Sequence, residues 1–210
     1  MRSERLEQQI QFAVVIDKLK SVQRRTWLVD RSRREDAAGH SWHVAAMCML
    51  LAEYAAEPLD LCRALQMALV HDLVEIEAGD TYVYDPEATA DKAERERQAA
   101  DRLFGLLPAD QAQHWRSLWE EFERRQTAEA RFVAAVDRLQ PILNNYYTQG
   151  AAWQEHHIRI DQVLERNRPF AEAVPALWEC IQQLLADAVR QGMLLPASDF
   201  KHSLGGNCTF

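Results

Sequence analysis

Three stretches of the chain carry ionisable residues beside apolar runs. In "ALQMALVHDLVEIEAGD", residues 64–80, a helical apolar pattern through Leu65, Ala68, Leu69 and Leu73 meets His71 and Asp72, then Glu75, Glu77 and Asp80. Residues three and four apart are neighbours on a helix, so His71, Asp72 and Glu75 share one side of it and can converge on one point. In "EARFVAAVDRLQPILNN", Asp137 lies beside the stripe Phe132, Val133, Val136, Leu139 and Leu143. A carboxylate left alone there would cost roughly several kcal/mol, so it needs a cation or donors. In "GHSWHVAAMCMLLAEY", His40 and His43 stand one turn apart at the start of a helix. One of these histidines, the His-Asp pair and Asp137 would together offer nitrogen and oxygen donors to a divalent ion such as Mn, Co, Mg, Fe, Ni or Zn, with positions left for water. Spacing alone leaves His40 and His43 open as alternatives.

The elements that must position these groups read as helices. Apolar residues recur at three and four spacing through nearly every segment, and the chain holds only seven Gly. The periodicity predicts helices near 4–24, 41–56, 59–76, 87–106, 109–125, 127–148, 157–168 and 171–192, an all-α fold. Breaks fall at Asp36 to Gly39, Glu57-Pro58, Gly79 to Pro86, Leu107-Pro108, Gly150 and Pro169. Pro58 suits a first helical turn, and Asp110 and Thr127 suit helix starts. Pro141 removes the donor for the Asp137 carbonyl, which predicts a kink at that acid.

With 210 residues, 48% of them hydrophobic, the chain can bury one substantial core and reads as one domain over 1–195, with a poorly ordered tail at 196–210. The N-terminus lacks a signal-peptide core, and "VAAMCMLLAEYAA" is too short and too charged to span a bilayer, so a soluble, cytoplasmic protein with no membrane partner is expected. Cys48, Cys62, Cys180 and Cys208 show no metal or redox spacing and read as reduced core residues. A net charge of −8 argues against a nucleic-acid polymer as partner. Residues 1–40 nevertheless hold nine Lys and Arg against six Asp and Glu, and "RRTWLVDRSRR" could serve a small anion.

The segments "LKSVQRRTW", "REDAAGHSWHVA", "VHDLVEIEAGD", "EFERRQTAEARFVAAVDRLQPIL" and "WQEHHIRIDQV" together resemble the HD-domain phosphohydrolases, and within them the small 5'-deoxyribonucleotidase type, over about residues 16–165. The resemblance implies a helical bundle with the metal at its centre, one divalent ion on His40, His71, Asp72 and Asp137, and a homodimer. It favours His40 over His43 as ligand. Gly39 stands where the family has an acid, and "RRTW" replaces the family's Arg-x-Gly-Trp, leaving Arg24 or Arg25 as the functional arginine; Arg25 is the expected phosphate clamp. Glu75 is expected to handle the attacking water and the leaving group, while Trp27 and Asp80 would read the sugar and exclude a ribose 2'-hydroxyl. Tyr82, Tyr84, His156 and His157 are further candidates for the pocket wall. The implied reaction is hydrolysis of deoxyribonucleoside 5'-monophosphates to deoxynucleoside and phosphate. The alternatives are a triphosphate or alarmone-like pyrophosphate substrate, or a non-catalytic ligand-binding domain. The di-iron branch of the superfamily needs two further histidines between Asp72 and Asp137, where this chain has only His114.

Overall fold

The computed structural model describes residues 3–81 and 90–198; Tyr82, Tyr84 and residues 199–210 of the expected tail lie outside these. Helix α1 (Glu4–Ile16) starts where the Ser3 side chain accepts from the Leu6 amide. The helix expected to reach residue 24 stops at Ile16. A 3₁₀ turn (Asp17–Ser21) follows, then an antiparallel hairpin of β1 (Gln23–Trp27) and β2 (Arg34–Asp36) that the periodicity did not foresee. Five residues are too few for period two to stand out from period 3.6, and only the pairing of Gln23 with Asp36 and Trp27 with Arg34 makes them a strand.

Helix α2 (Ala37–Leu51) begins four residues earlier than expected, because Asp36 caps it by accepting from the Gly39 amide at 2.7 Å. Asp60 does the same for α3 (Leu61–Val70), through the Arg63 amide at 3.0 Å, so Pro58 precedes the helix instead of opening it. The expected helix over 59–76 is two elements. After Val70 the chain tightens, Leu73 donating to Val70 and Glu75 to Asp72, before the short α4 (Glu75–Ala78). Next come α5 (Lys92–Phe104), α6 (Ala109–Arg124) and α7 (Ala128–Tyr147), the last capped by Thr127. Helix α7 runs unbroken through Pro141 to Tyr147. A short α8 (Ala151–Glu155), absent from the periodicity reading, precedes α9 (Ile160–Asn167) and α10 (Pro175–Arg190).

Helices α2, α3 and α7 pack on one another, α6 lies against α3 and α7, α5 against α4 and α6, and α10 against α7. Their buried faces form one cluster that includes Val44, Met67, Leu103, Phe122, Phe132, Val136 and Leu185. Leu69, expected in the α3 stripe, is half exposed; Met67 and Val70 are buried in its place. Of the cysteines, Cys48 is buried as expected, but Cys62 and Cys180 are exposed. No helix among the described residues is long and apolar enough to cross a membrane.

Gly150 joins α7 to α8 with φ +73°, and a methyl group there would overlap the carbonyl of Met193. Backbone cannot yield as a side-chain end can. Gly150→Ala is therefore expected to lower unfolding stability by about 2 kcal/mol or more, read as a shift in the denaturant midpoint.

Candidate metal centre and adjoining cavity

Each of the four expected ligands is aimed by its own element. The cap on Asp36 puts His40 in the first turn of α2, fully buried against α7. His71 closes α3, and its Nδ1 donates to the Ala68 carbonyl at 2.9 Å, which directs Nε2 inward. Asp72 sits in the tightened turn that follows, and Asp137 projects from the middle of α7. His40 Nε2 lies 2.9 Å from Asp137 Oδ1 and 3.8 Å from Asp72 Oδ2; His71 Nε2 lies 3.1 Å from Asp72 Oδ1 and 3.7 Å from Asp137 Oδ1. Donor atoms of His40, His71 and Asp72 all fall within 4.8 Å of one another.

This donor set fits a divalent ion. His71 Nε2 is buried and makes no well-formed hydrogen bond. Both imidazoles commit Nδ1 elsewhere, His71 to Ala68 and His40 to Gln140 Oε1 at 3.1 Å, leaving Nε2 for a shared centre. Two imidazole nitrogens and two carboxylates suit a borderline cation. Protons occupy the same electrostatic position when no cation does. Burial and the Arg24 charge push the His40 pKa down, but Asp137, Glu35 and Asp72 outweigh them and raise it to about 9. His71 is likewise raised, burial being outweighed by Asp72 and Asp137. Burial would raise the Asp137 carboxyl, yet the hydrogen bond from His40 and the neighbouring His71 imidazole, 3.7 Å away, hold it well below the ordinary range.

Around the centre, strand geometry settles which arginine points in. Successive side chains of β1 alternate, so Arg24 and Thr26 turn inward while Arg25 is exposed. Arg24 Nη1 reaches Asp72 Oδ2 at 3.0 Å and lies 3.9 Å from Asp80 Oδ1, and its Nε lies 3.5 Å from Glu35 Oε2. The residue brought to the ligands is thus Arg24 and not the expected Arg25, which lines the wall of the adjoining cavity. Glu75 is buried, its carboxyl raised well above the usual range by burial and by Asp72. Burial also raises Asp80, against the pull of Arg24. Glu77 is exposed and paired with Arg102.

A cavity of about 110 Å³ opens beside Asp137 and Arg24. Its wall includes Asp80, Arg138, Arg166 and the apolar surfaces of Pro141, Ile142 and Trp153. Trp27, expected to read the sugar, is not in this wall and instead lies beneath the Arg34 guanidinium at 4.2 Å. His156 and His157 are not in it either. Helices α8 and α9 supply Trp153 and Arg166, which sequence reasoning missed because nothing local marks a residue whose partner surface comes from α7. Glu35 and Gln140 were missed too. Gln140 had a signal, standing one turn after Asp137 on the same helix face.

A predominantly helical domain closed around a buried pair of imidazoles and a pair of carboxylates is the class that fold and site define. The chain belongs to the HD domain family, whose model matches residues 16–178. It is similar to a crystal structure described as a predicted metal-dependent phosphohydrolase from Magnetospirillum magnetotacticum MS-1, with 48% sequence identity and a TM-score of 0.86, over 91% of this chain and 99% of that one. It is 33% identical over 135 residues to the 5'-deoxynucleotidase HDDC2 of Homo sapiens, covering 64% of this chain and 65% of the relative. The Xenopus laevis 5'-deoxynucleotidase HDDC2 is 34% identical, over 64% of this chain and 66% of its own. The match spans slightly under two thirds of each of these two relatives.

Because His40 keeps its proton up to about pH 9 in the metal-free protein, a divalent ion must displace it. His71 is raised as well, so apparent affinity for Zn or Co should weaken by about tenfold for each pH unit where only His40 is protonated, and more steeply once His71 is protonated too. Competition titration against a chromophoric chelator at pH 6, 7 and 8 checks this; a constant affinity would contradict it.

Proposed function

We propose that this chain is a metal-dependent phosphohydrolase that cleaves deoxyribonucleoside 5'-monophosphates to deoxynucleoside and phosphate. The convergence of His40, His71, Asp72 and Asp137, with Arg24 on Asp72 and a cavity beside them, carries this reading. These four residues would hold one divalent ion. Such an ion supplies an acidified water and neutralises charge on the phosphoryl oxygens.

The chain's own groups do the rest. Arg24 stays cationic, since Asp72, Asp80 and Glu75 raise its pKa further despite burial, and its fork of donors can grip two phosphoryl oxygens. Glu75 holds its proton beyond the ordinary carboxyl range and is suited to pass it to the leaving 5'-oxygen or, once ionised, to draw one from the attacking water. Asp80, in the cavity wall, is the group for the deoxyribose hydroxyl, and the ring of Trp153 with Pro141 and Ile142 offers a face for the base. Trp27, outside that wall and beneath the Arg34 guanidinium, is given no role in this proposal. The names carried by the human and frog relatives and by the Magnetospirillum structure support the same class of reaction.

A net charge of −8 favours a small ester over a nucleic-acid polymer. The protein is further proposed to act as a cytoplasmic homodimer with no membrane partner. The outward side of α2, where Trp42, Met49 and Leu50 are each more than 60% exposed, supports the dimer.

Phosphate release from dAMP, dGMP, dCMP, dTMP, the matching ribonucleotides and the triphosphates, with Co, Mn and Mg added in turn, should show deoxyribonucleoside monophosphates preferred. Equal turnover of ribo- and deoxyribonucleotides would remove the sugar-reading role of Asp80, and no release from any nucleotide would sink the reaction class. Arg24→Gln should lower kcat/KM by about 10²–10³-fold, read at a temperature where circular dichroism shows the variant folded, whereas Arg25→Gln should cost less than about tenfold. The Arg24 change also strips Asp72 and Glu35 of a counter-charge and should lower the unfolding midpoint.

A further inference from the structure

Behind His40 lies a buried polar chain that none of the reacting groups needs for its own sake. Gln140, fully buried on α7, accepts the His40 Nδ1 proton on Oε1 at 3.1 Å. Its Nε2 donates to Glu35 Oε1 at 2.6 Å and meets His43 Nδ1 at 3.2 Å. Glu35 is itself buried on β2, and its second oxygen faces Arg24 Nε at 3.5 Å and His40 Nδ1 at 3.6 Å.

An amide can present either its oxygen or its nitrogen to a neighbour, so Gln140 alone does not define the proton on His40. Glu35 does. A carboxylate only accepts, so it takes the Nε2 side of Gln140 and forces Oε1 toward the imidazole. With Oε1 accepting, His40 must carry a proton on Nδ1 in either protonation state, and Nε2 is the nitrogen that faces Asp137 and Asp72. We infer that Glu35 and Gln140 are positioning residues that hold the ring orientation of His40 and keep a proton on Nδ1, so that Nε2 is the nitrogen that gives up its proton to an arriving ion, with His43 closing the network on the far side of the amide. The inference rests on the reading of His40 as a ligand. It adds a coupling: the carboxylate that orients Gln140 is the one that sits on the Nε side of Arg24, so β2 registers the phosphate grip and the metal ligand together.

The polarity of the chain gives the test. Gln140→Met keeps the length and bulk of the side chain and removes both hydrogen bonds. The exchange Glu35→Gln with Gln140→Glu reverses donor and acceptor between the two positions yet still offers His40 Nδ1 an acceptor. Zn and Co affinities of the metal-stripped proteins would be measured by calorimetric titration, the Co form also by its visible spectrum, with thermal unfolding as the check on folding. Gln140→Met should bind about 10–100-fold more weakly and shift the Co bands. The exchanged double variant should return to within about threefold of the parent, as expected where orientation and not mere packing is at stake. A folded Gln140→Met protein with parental affinity would overturn the inference. So would a folded double variant that binds about tenfold or more weakly than the parent, and that second criterion stands even if the methionine variant does not fold. These titrations need no turnover, so absence of phosphate release from the parent protein would count against the proposed reaction and leave them decisive for the positioning role.

Discussion

Two imidazoles and two carboxylates share one buried point, and the rest of the architecture follows from what that demands. Taking such groups out of water is expensive unless each meets a counter-charge or a donor. Here the groups compensate one another: Asp137 lies against His40, Asp72 lies between His71 and Arg24, and Glu35 takes the other side of Arg24. Removing one member leaves another charge buried alone, so the cluster is held as a unit. A divalent ion fits this pattern because it replaces protons already held there by the same carboxylates.

Rigid placement is the second demand, and three helices and one small hairpin meet it. Helix α7 contributes Asp137, Gln140 and the cavity wall at Pro141 from one face, so a single element registers ligand, supporting amide and substrate surface. Helices α2 and α3 each present a histidine at an end, where the chain can turn inward without breaking a run of backbone bonds. The hairpin lies over that arrangement. Its strand alternation turns Arg24 toward Asp72, and its second strand delivers Glu35.

Much of this was legible in the residues themselves. Asp137 stood out because an acid beside five apolar residues has no inexpensive reason to be there, and the His-Asp pair because it follows a stripe headed for a core. Helix α7, with its Thr127 cap, was predictable almost to the residue, since twenty periodic positions outweigh local noise. The hairpin was not legible. Its strands span five and three residues, and their identity depends on pairing with each other. That one miss carried others with it: a helical reading of residues 4–24 gives no inside and outside for Arg24 and Arg25, and it left Glu35 as a loop residue.

What the sequence determined by itself was the chemistry on offer: helical periodicity, donor atoms of the right type for a divalent ion, and acids placed where burial makes them costly. These are properties of composition and short-range spacing, which a linear chain displays directly. The tertiary structure alone decided which of two adjacent arginines faces the acids, that Trp153 and not Trp27 borders the cavity, and that Glu35 and Gln140 stand behind His40. Each depends on contacts between residues about 50 to 105 positions apart, or on a strand register, and such contacts are selected by the packing of the whole core and not by any local preference.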